Sequence, residues 1–188
     1  MTLSWLPNAI SVFRIALIVP VVLAITDAEY SLALALFLVA GISDGVDGFL
    51  AKRFDWHTRL GALLDPIADK LLMAASFVTL AYVGQIPVWL AGIVVFRDLV
   101  IIGGATAYNF LIAPVQGEPT RISKVNTTLE ILFVVGVLAR AAFDMPGETV
   151  ILVLGAGVLA TVVISGIDYV LAWSQRARTA RAGGTHES

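Results

Sequence analysis

The 188-residue chain has no cysteine and little charge of either sign. The absence of cysteine excludes a disulfide framework, a thiolate metal site and a cysteine nucleophile. Charged residues make up only 14% of the chain, whereas soluble domains carry about a quarter. Hydrophobic residues reach 59% and the mean hydropathy is +0.91, with apolar runs of bilayer-spanning length along the whole chain. The composition therefore predicts a polytopic membrane protein. No internal repeat is visible, so the inverted-repeat plan common among transporters is not indicated.

Six apolar segments are predicted to be membrane-spanning helices. They cover residues 9–25, 31–51, 60–83, 87–112, 125–142 and 150–173. Gly and Pro mark most of the breaks between them. A short N-terminal interfacial segment precedes the first helix. The prediction is thus an all-α integral membrane domain over residues 1–174, followed by a basic tail, 175–188, that is expected to be disordered.

The basic residues predict how the chain is oriented in the membrane. Those in the even-numbered loops and the tail are Lys52, Arg53, Arg59, Arg121, Lys124, Arg176, Arg178 and Arg181. The odd-numbered loops are acidic or neutral, with Arg140 the exception. The positive-inside rule then places both termini in the cytoplasm. The first apolar run contains Arg14 and leads to no cleavage site, and no Arg-rich import leader precedes it, so we expect a bacterial inner membrane.

Four aspartates lie within the stretch SDGVDGFLAKRFDWHTRLGALLDPIADK, residues 43–70. Asp44 and Asp47 are three residues apart, and Asp65 and Asp69 are four apart, so each pair shares one helix face. The loop between the second and third spans is short, which makes these spans antiparallel neighbours. Both pairs are therefore expected near the same, cytoplasmic membrane edge.

Small residues on the same faces, Gly48, Ala51 and Gly61, leave space around the four carboxylates. An aspartate at the bilayer centre costs about 2.5–3.5 kcal/mol, and neighbouring carboxylates repel one another. A divalent cation offsets both penalties, and oxygen ligands suit Mg²⁺ or Mn²⁺. Four carboxylates suffice for two ions that clamp a phosphoryl group.

The four aspartates are also compatible with other roles. They could instead form salt bridges with neighbouring cations: Lys52, Arg53, Arg59 and Lys70. They could also form the ion site of a cation-coupled transporter, although all four lie near one membrane edge. A third possibility is that the protein has the architecture of an enzyme but no activity. The presence of all four aspartates argues against it. His57 is expected to be a solvated loop residue.

The aspartate pattern resembles the signature of the CDP-alcohol phosphatidyltransferase family. The matching positions are Asp44, Asp47, Gly48, Ala51, Lys52, Gly61, Asp65 and Asp69. Lys52 stands where the family usually has Arg, which keeps a cation but loses its bidentate fork, so Arg53 is expected to share the role. The resemblance implies a six-helix, homodimeric membrane enzyme that is active at the cytoplasmic face.

The resemblance also implies roles for individual residues. Asp44, Asp47, Asp65 and Asp69 would hold two Mg²⁺ or Mn²⁺ ions, with Asp65 and Asp69 catalytic and Asp69 the general base. The alcohol acceptor would attack the β-phosphorus of CDP-diacylglycerol and release CMP. Gly48, Ala51, Lys52 and Gly61 would cradle the nucleotide beside Asp44 and Asp47. The segment LPNAISVFR resembles the family's opening segment, which puts Asn8 and Ser11 near the nucleotide, although helix capping explains each equally well.

Three cations are candidates for binding the phosphate of the acceptor: Arg97, Lys124 and Arg121. An arginine deep in a span is costly and should face the bundle interior. For Arg97, pairing with the neighbouring Asp98 is expected to be poor, because adjacent helical residues point about 100° apart. Glu130 and Asp168 are expected to pair with a buried cation or to line the acceptor cavity.

Two further segments, FRDLVIIGGATAY and GEPTRISKVNT, resemble the CMP-forming cardiolipin synthases more than the phosphatidylglycerophosphate synthases. Phosphatidylglycerol is therefore the first expected acceptor, and glycerol-3-phosphate the second. The expected partners are CDP-diacylglycerol, one of these acceptors, membrane lipids and a second copy of the chain, with no nucleic acid.

Overall fold

The computed structural model describes the backbone of residues 6–54, 59–111 and 121–183, and the side chains of residues 9–45, 67–101, 103 and 122–166. Within these ranges the fold is all-helical. Its elements are α1 (Leu6–Thr26), α2 (Tyr30–Phe54), α3 (Arg59–Tyr82), α4 (Val88–Leu111), α5 (Arg121–Phe143) and α6 (Glu148–Gly183).

The six helices coincide with the six predicted spans. Three segments of the described chain are long and apolar enough to cross a membrane, namely Ala9–Thr26, Ile122–Phe143 and Glu148–Gly166. Apolar residues also dominate Tyr30–Gly45, which is shorter. The chain is thus a helical membrane protein, and six complete spans remain a prediction.

The helices alternate in direction, so the bundle has two distinct ends. At the aspartate end, α2 finishes and α3 begins. The opposite end carries residues 27–29, 83–87 and 144–147, which connect the helices there. The turn after α3 closes on Gly84, whose φ of +77° is left-handed. The Gly84 and Gln85 amides bond the carbonyls of Ala81 and Leu80, as in a Schellman cap.

Helix α3 lies at the centre of the bundle, where it packs against α1, α4 and α5. Its Phe77 ring stacks on Phe133 of α5, with centroids 5.9 Å apart. Helix α6 packs closely on α5 because Gly136 and Gly155 leave room. A Cβ at either position would lie 3.1 Å from Ile151 or Phe133, respectively.

Helix α6 departs from the predicted C-terminal boundary. It continues to Gly183, so residues 175–183 are helical where the sequence predicts a disordered tail. The physical reason is local propensity: the segment SQRARTARA is rich in Ala and Arg, which are strong helix formers, and has neither Gly nor Pro before the final glycines. Residues 184–188 lie outside the described part of the chain.

Candidate active site

A buried arginine joins two of the four aspartates. Arg14 of α1 is fully buried, and its Nη1 lies 2.7 Å from Oδ1 of Asp44 on α2. The same nitrogen donates a hydrogen bond to Oδ1 of Asp69 on α3. Carboxylates from α2 and α3 therefore meet at a single cationic atom supplied by α1. The convergence of the two helix faces, expected from residue spacing, is present for this pair.

The two carboxylates stay open on one side. Asp44 and Asp69 keep 43% and 44% of their side-chain exposure, whereas Arg14 keeps none. Ser11, one helical turn before Arg14, is also fully buried. Arg14 thus forms a buried floor beneath the two carboxylates, whose other edges remain exposed.

Most of the other residues predicted for this site lie outside the described side chains. They are Asn8, Asp47, Gly48, Ala51, Lys52, Gly61, Asp65 and Arg121, together with His57 and Asp168. Among the side chains that are described, no three or more His, Cys, Asp or Glu gather as metal ligands. Asp44 and Asp69 still present exposed carboxylate edges beside the oxygens that Arg14 holds, and carboxylate oxygen is the ligand that Mg²⁺ or Mn²⁺ takes.

The salt-bridge alternative fails for Lys70. This lysine directly follows Asp69, but its Nζ contacts both oxygens of Asp98 on α4, at 2.8 and 2.7 Å. Consecutive residues of α3 are therefore tied to two different helices, Asp69 to α1 and Lys70 to α4. These ties restrict the rotation of α3 and hence the direction in which the Asp69 carboxylate points.

The expectation that Arg97 and Asp98 pair poorly is wrong. Arg97 Nη1 donates to Asp98 Oδ1 at 2.7 Å, and both side chains are buried. The Cβ directions of adjacent residues do diverge, but the flexible arginine stem reaches round to the carboxylate. A buried carboxylate that already accepts from Lys70 also gains from a second charged donor.

Arg97 also links α4 to α5 and α6. Its Nη2 lies 2.5 Å from Ser165 Oγ on α6 and 3.3 Å from Ser123 Oγ on α5. Its Nε is buried with no hydrogen-bond partner among the described residues. Lys124, the next residue after Ser123, is exposed. The structure thus brings the start of α5 to Arg97 through Ser123, while Lys124 faces away from the buried cluster.

Glu130 of α5 is fully buried, but none of the described lysines or arginines forms an ion pair with it. Its Oε1 accepts a hydrogen bond from Asn126 Nδ2 at 2.6 Å, and Asn126 Oδ1 lies 2.8 Å from Thr161 Oγ1. Its Oε2 has no partner in that part of the chain. The residue therefore belongs to a polar chain that crosses the α5–α6 contact.

Arg14 and Asp98 are the two site residues that the sequence analysis missed. Arg14 had the same signal that singled out Arg97, a charge inside an apolar run. It follows Asn8 and Ser11 in the segment that resembles the family's opening. Asp98 was considered only as a partner of Arg97, and its contact with Lys70 requires the packing of α3 on α4.

Comparison with known proteins identifies the family to which the chain is similar. The model of the CDP-alcohol phosphatidyltransferase family matches residues 4–179. The human cardiolipin synthase (CMP-forming) is 31% identical over 180 residues, which cover 87% of this chain and 60% of that protein. A probable cardiolipin synthase (CMP-forming) of Drosophila melanogaster is 33% identical over 142 residues, 67% of this chain and 44% of the fly protein.

A probable phosphatidylglycerophosphate synthase of Mycobacterium tuberculosis is 30% identical over 171 residues, which cover 88% of this chain and 79% of that protein. The chain spans about half the length of the cardiolipin synthases that it matches. The match nevertheless covers the aspartate stretch, the buried Arg14 and nearly all six helices. The chain belongs to the CDP-alcohol phosphatidyltransferase family.

Proposed function

We propose that this protein transfers the phosphatidyl group of CDP-diacylglycerol to the hydroxyl of an alcohol and releases CMP. The observation that carries the proposal is the meeting of Asp44 and Asp69 at the buried Arg14, within a stretch that has the family's aspartate spacing. Two half-exposed carboxylates above a buried cation form a surface to which a cation and a phosphate can bind together. The family match supports a transferase over the cation-coupled transporter.

In the proposed reaction the acceptor oxygen forms a bond to the β-phosphorus, and the bond from that phosphorus to the CMP oxygen breaks. Asp69 takes the proton of the attacking hydroxyl. Two Mg²⁺ or Mn²⁺ ions, held by Asp44, Asp47, Asp65 and Asp69, would neutralise charge on the transferred phosphoryl group. Catalysis of phosphoryl transfer depends mainly on such positioning and electrostatic stabilisation. The ties of Asp69 and Lys70 to α1 and α4 fix the direction of the base.

The remaining roles follow from the family pattern. Asn8, Ser11, Gly48, Ala51, Lys52 and Gly61 are proposed to bind the nucleotide of CDP-diacylglycerol. The surplus of basic residues at the aspartate end supports a cytoplasmic active site. A bacterial inner membrane is the location that we propose. A homodimer is the assembly that we expect.

Phosphatidylglycerol is the acceptor that we propose, which would make the reaction a synthesis of cardiolipin. The human and fly relatives, both named cardiolipin synthases, support this choice. Glycerol-3-phosphate is the second candidate, because the mycobacterial relative is named a phosphatidylglycerophosphate synthase. Both acceptors combine a phosphate with a free hydroxyl, so the same cations would serve either.

A CMP-release assay on the purified protein decides between the two acceptors. CDP-diacylglycerol is supplied with Mg²⁺ or Mn²⁺, phosphatidylglycerol and glycerol-3-phosphate are offered in parallel, and the lipid product is identified by mass. We expect turnover with phosphatidylglycerol. Turnover with glycerol-3-phosphate alone would replace cardiolipin by phosphatidylglycerophosphate as the product. Absence of CMP with either acceptor would first direct the test to other alcohols.

Arg97→Gln is expected to raise the KM for the acceptor while leaving the KM for CDP-diacylglycerol within about twofold. The loss of a charged donor to a phosphate costs about 1.5–3 kcal/mol, which corresponds to a rise of roughly 10- to 150-fold. Steady-state kinetics with each substrate varied in turn measures both constants. The control is Arg140→Gln, at the opposite end of the bundle, which should change neither.

Arg97 also has a structural role, because it ties Asp98, Ser123 and Ser165 together. Thermal unfolding of Arg97→Gln and Arg97→Lys in detergent therefore accompanies the kinetics. A rise in acceptor KM that Arg97→Lys partly reverses would support phosphate binding. A lower unfolding temperature with both KM values unchanged would make Arg97 a purely structural link, and a selective rise in donor KM would move it to the CDP-lipid site.

A further inference from the structure

A cavity of about 440 Å³ lies at the opposite end of the bundle from the aspartates, among α4, α5 and α6. Its walls are apolar, with Leu90 of α4, Phe133 and Val137 of α5, and Ile151 and Leu159 of α6. Trp89 and Leu152 line it too and are largely exposed, so the cavity opens to the outside of the bundle. In a bilayer such a space is filled by hydrocarbon, because an empty one forfeits the contacts of its lining atoms.

The mouth of this cavity carries one charge of each sign. Arg140 lies in the last turn of α5 and Glu148 begins α6. Both line the cavity, with Arg140 Nη2 and Glu148 Oε2 3.5 Å apart. Arg140 is also the exception to the charge pattern of the chain, the basic residue among the acidic or neutral loops of this end. The positive-inside rule does not account for a cation at this end, although its place in the last turn of α5 suits the helix dipole.

We propose that this cavity binds a zwitterionic phospholipid with a primary ammonium head group. Its phosphate would lie on Arg140, its ammonium on Glu148, and one acyl chain in the apolar cavity. The existing pair is long and exposed, with Glu148 keeping 75% of its side-chain exposure, so separating the two side chains costs little. An anionic head group fits less well, because Glu148 would repel a second negative charge.

Trp89 offers a direct probe, because it lines the cavity. A variant with Phe at positions 5, 56 and 173 keeps Trp89 as its only tryptophan. The full-length protein is placed in vesicles that contain acyl-brominated lipid, which quenches indole fluorescence on contact. Brominated ethanolamine, choline and glycerol phospholipids are compared at equal mole fraction. We expect the ethanolamine lipid to quench most, with an apparent affinity up to about fivefold above that of the glycerol lipid.

Two charge variants separate the contacts of the head group. Glu148→Gln should remove the preference for the ethanolamine lipid, a loss of up to about fivefold, because an exposed ion pair contributes at most about 1 kcal/mol. Arg140→Gln should weaken binding of all three lipids, since each has a phosphate. Glu29→Gln is the matched control, because this acid lies at the same end but does not line the cavity. Glu29→Gln should leave the ranking of the three lipids by quenching unchanged.

A substitution that fills the cavity tests lipid binding independently of the charges. Ala156 lines the cavity from the exposed side of α6, so Ala156→Phe should lower quenching by all three lipids without loss of helical circular dichroism. Equal quenching by the three lipids, or no response to both charge variants, would show an ordinary annular lipid and overturn the proposal. Quenching that disappears as the protein associates would mean that a second copy covers the cavity, which also overturns it. None of these outcomes depends on the proposed transferase activity.

Discussion

Arg14→Gln is expected to lower CMP release by about 100-fold or more and to destabilise the protein by about 2–3 kcal/mol. Arg14 is the buried cation at which Asp44 and Asp69 meet, and glutamine leaves both carboxylates without it. Breaking a buried ion pair by removing one partner costs about 3–5 kcal/mol, and the half-exposed aspartates reduce that cost here. The loss of activity is larger than this destabilisation alone explains, because misplacing a reacting group by about 1 Å costs around 100-fold.

The measurements are CMP release under saturating substrates and unfolding in detergent without added metal. Arg140→Gln is the matched control for stability, because it removes an arginine whose pair is exposed, and its change should stay within about 0.5 kcal/mol. A double-mutant cycle of Arg14→Gln with Asp44→Asn should show coupling of about 1 kcal/mol or more. Independent effects in that cycle, or an Arg14→Gln protein as active as the parent, would rule out the positioning role.

The sequence was sufficient to predict the architecture and the meeting of two helices at one site. Apolar runs of bilayer length gave the first five helices within a few residues and the start of the sixth, because hydrophobicity and the helical repeat are local properties. The end of α6 lies ten residues beyond the predicted one. The spacing gave the helix faces on which Asp44 and Asp69 lie. The expected direct packing of α2 on α3 is not found: in the described part of the chain they make little contact, and α1 packs against both and carries Arg14 between the two carboxylates. What the spacing could not give was the cation between them, because Arg14 lies 30 residues before Asp44 in the chain.

The ion pairs among Lys70 of α3 and Asp98 and Arg97 of α4 show even more clearly that sequence spacing does not predict the partner of a buried charge. From sequence, Lys70 was a candidate partner for the aspartates around it, and Asp98 a poor partner for Arg97. Packing of α3 against α4 instead places Asp98 within reach of both cations. Once buried, each charge has to be paired, and long flexible side chains satisfy that demand from unfavourable Cβ directions. Periodicity gives the face that a residue occupies, whereas the choice of partner depends on how the helices pack.

The second large effect is expected from Asp69→Asn, which should lower kcat by about 10²- to 10⁴-fold while leaving CDP-diacylglycerol binding nearly intact. Asparagine has almost the same shape, and its Oδ1 can still accept the hydrogen bond from Arg14. The substitution therefore preserves the floor of the site but removes the group proposed to take the proton of the acceptor. General-base catalysis by a positioned side chain contributes a factor of this size.

Asp44→Asn is the matched variant, since Asp44 contacts the same Arg14 nitrogen and is equally exposed. It is proposed as a metal ligand without a proton-transfer role, so it should weaken Mn²⁺-dependent CMP binding, measured by calorimetry, as well as turnover. Asp69→Asn should weaken that binding much less. If the two variants lose binding equally, Asp69 acts mainly as a metal ligand and the base lies elsewhere. If both retain metal-dependent binding, the aspartates do not hold the ions, and the two-metal mechanism is wrong even though Arg14 joins them.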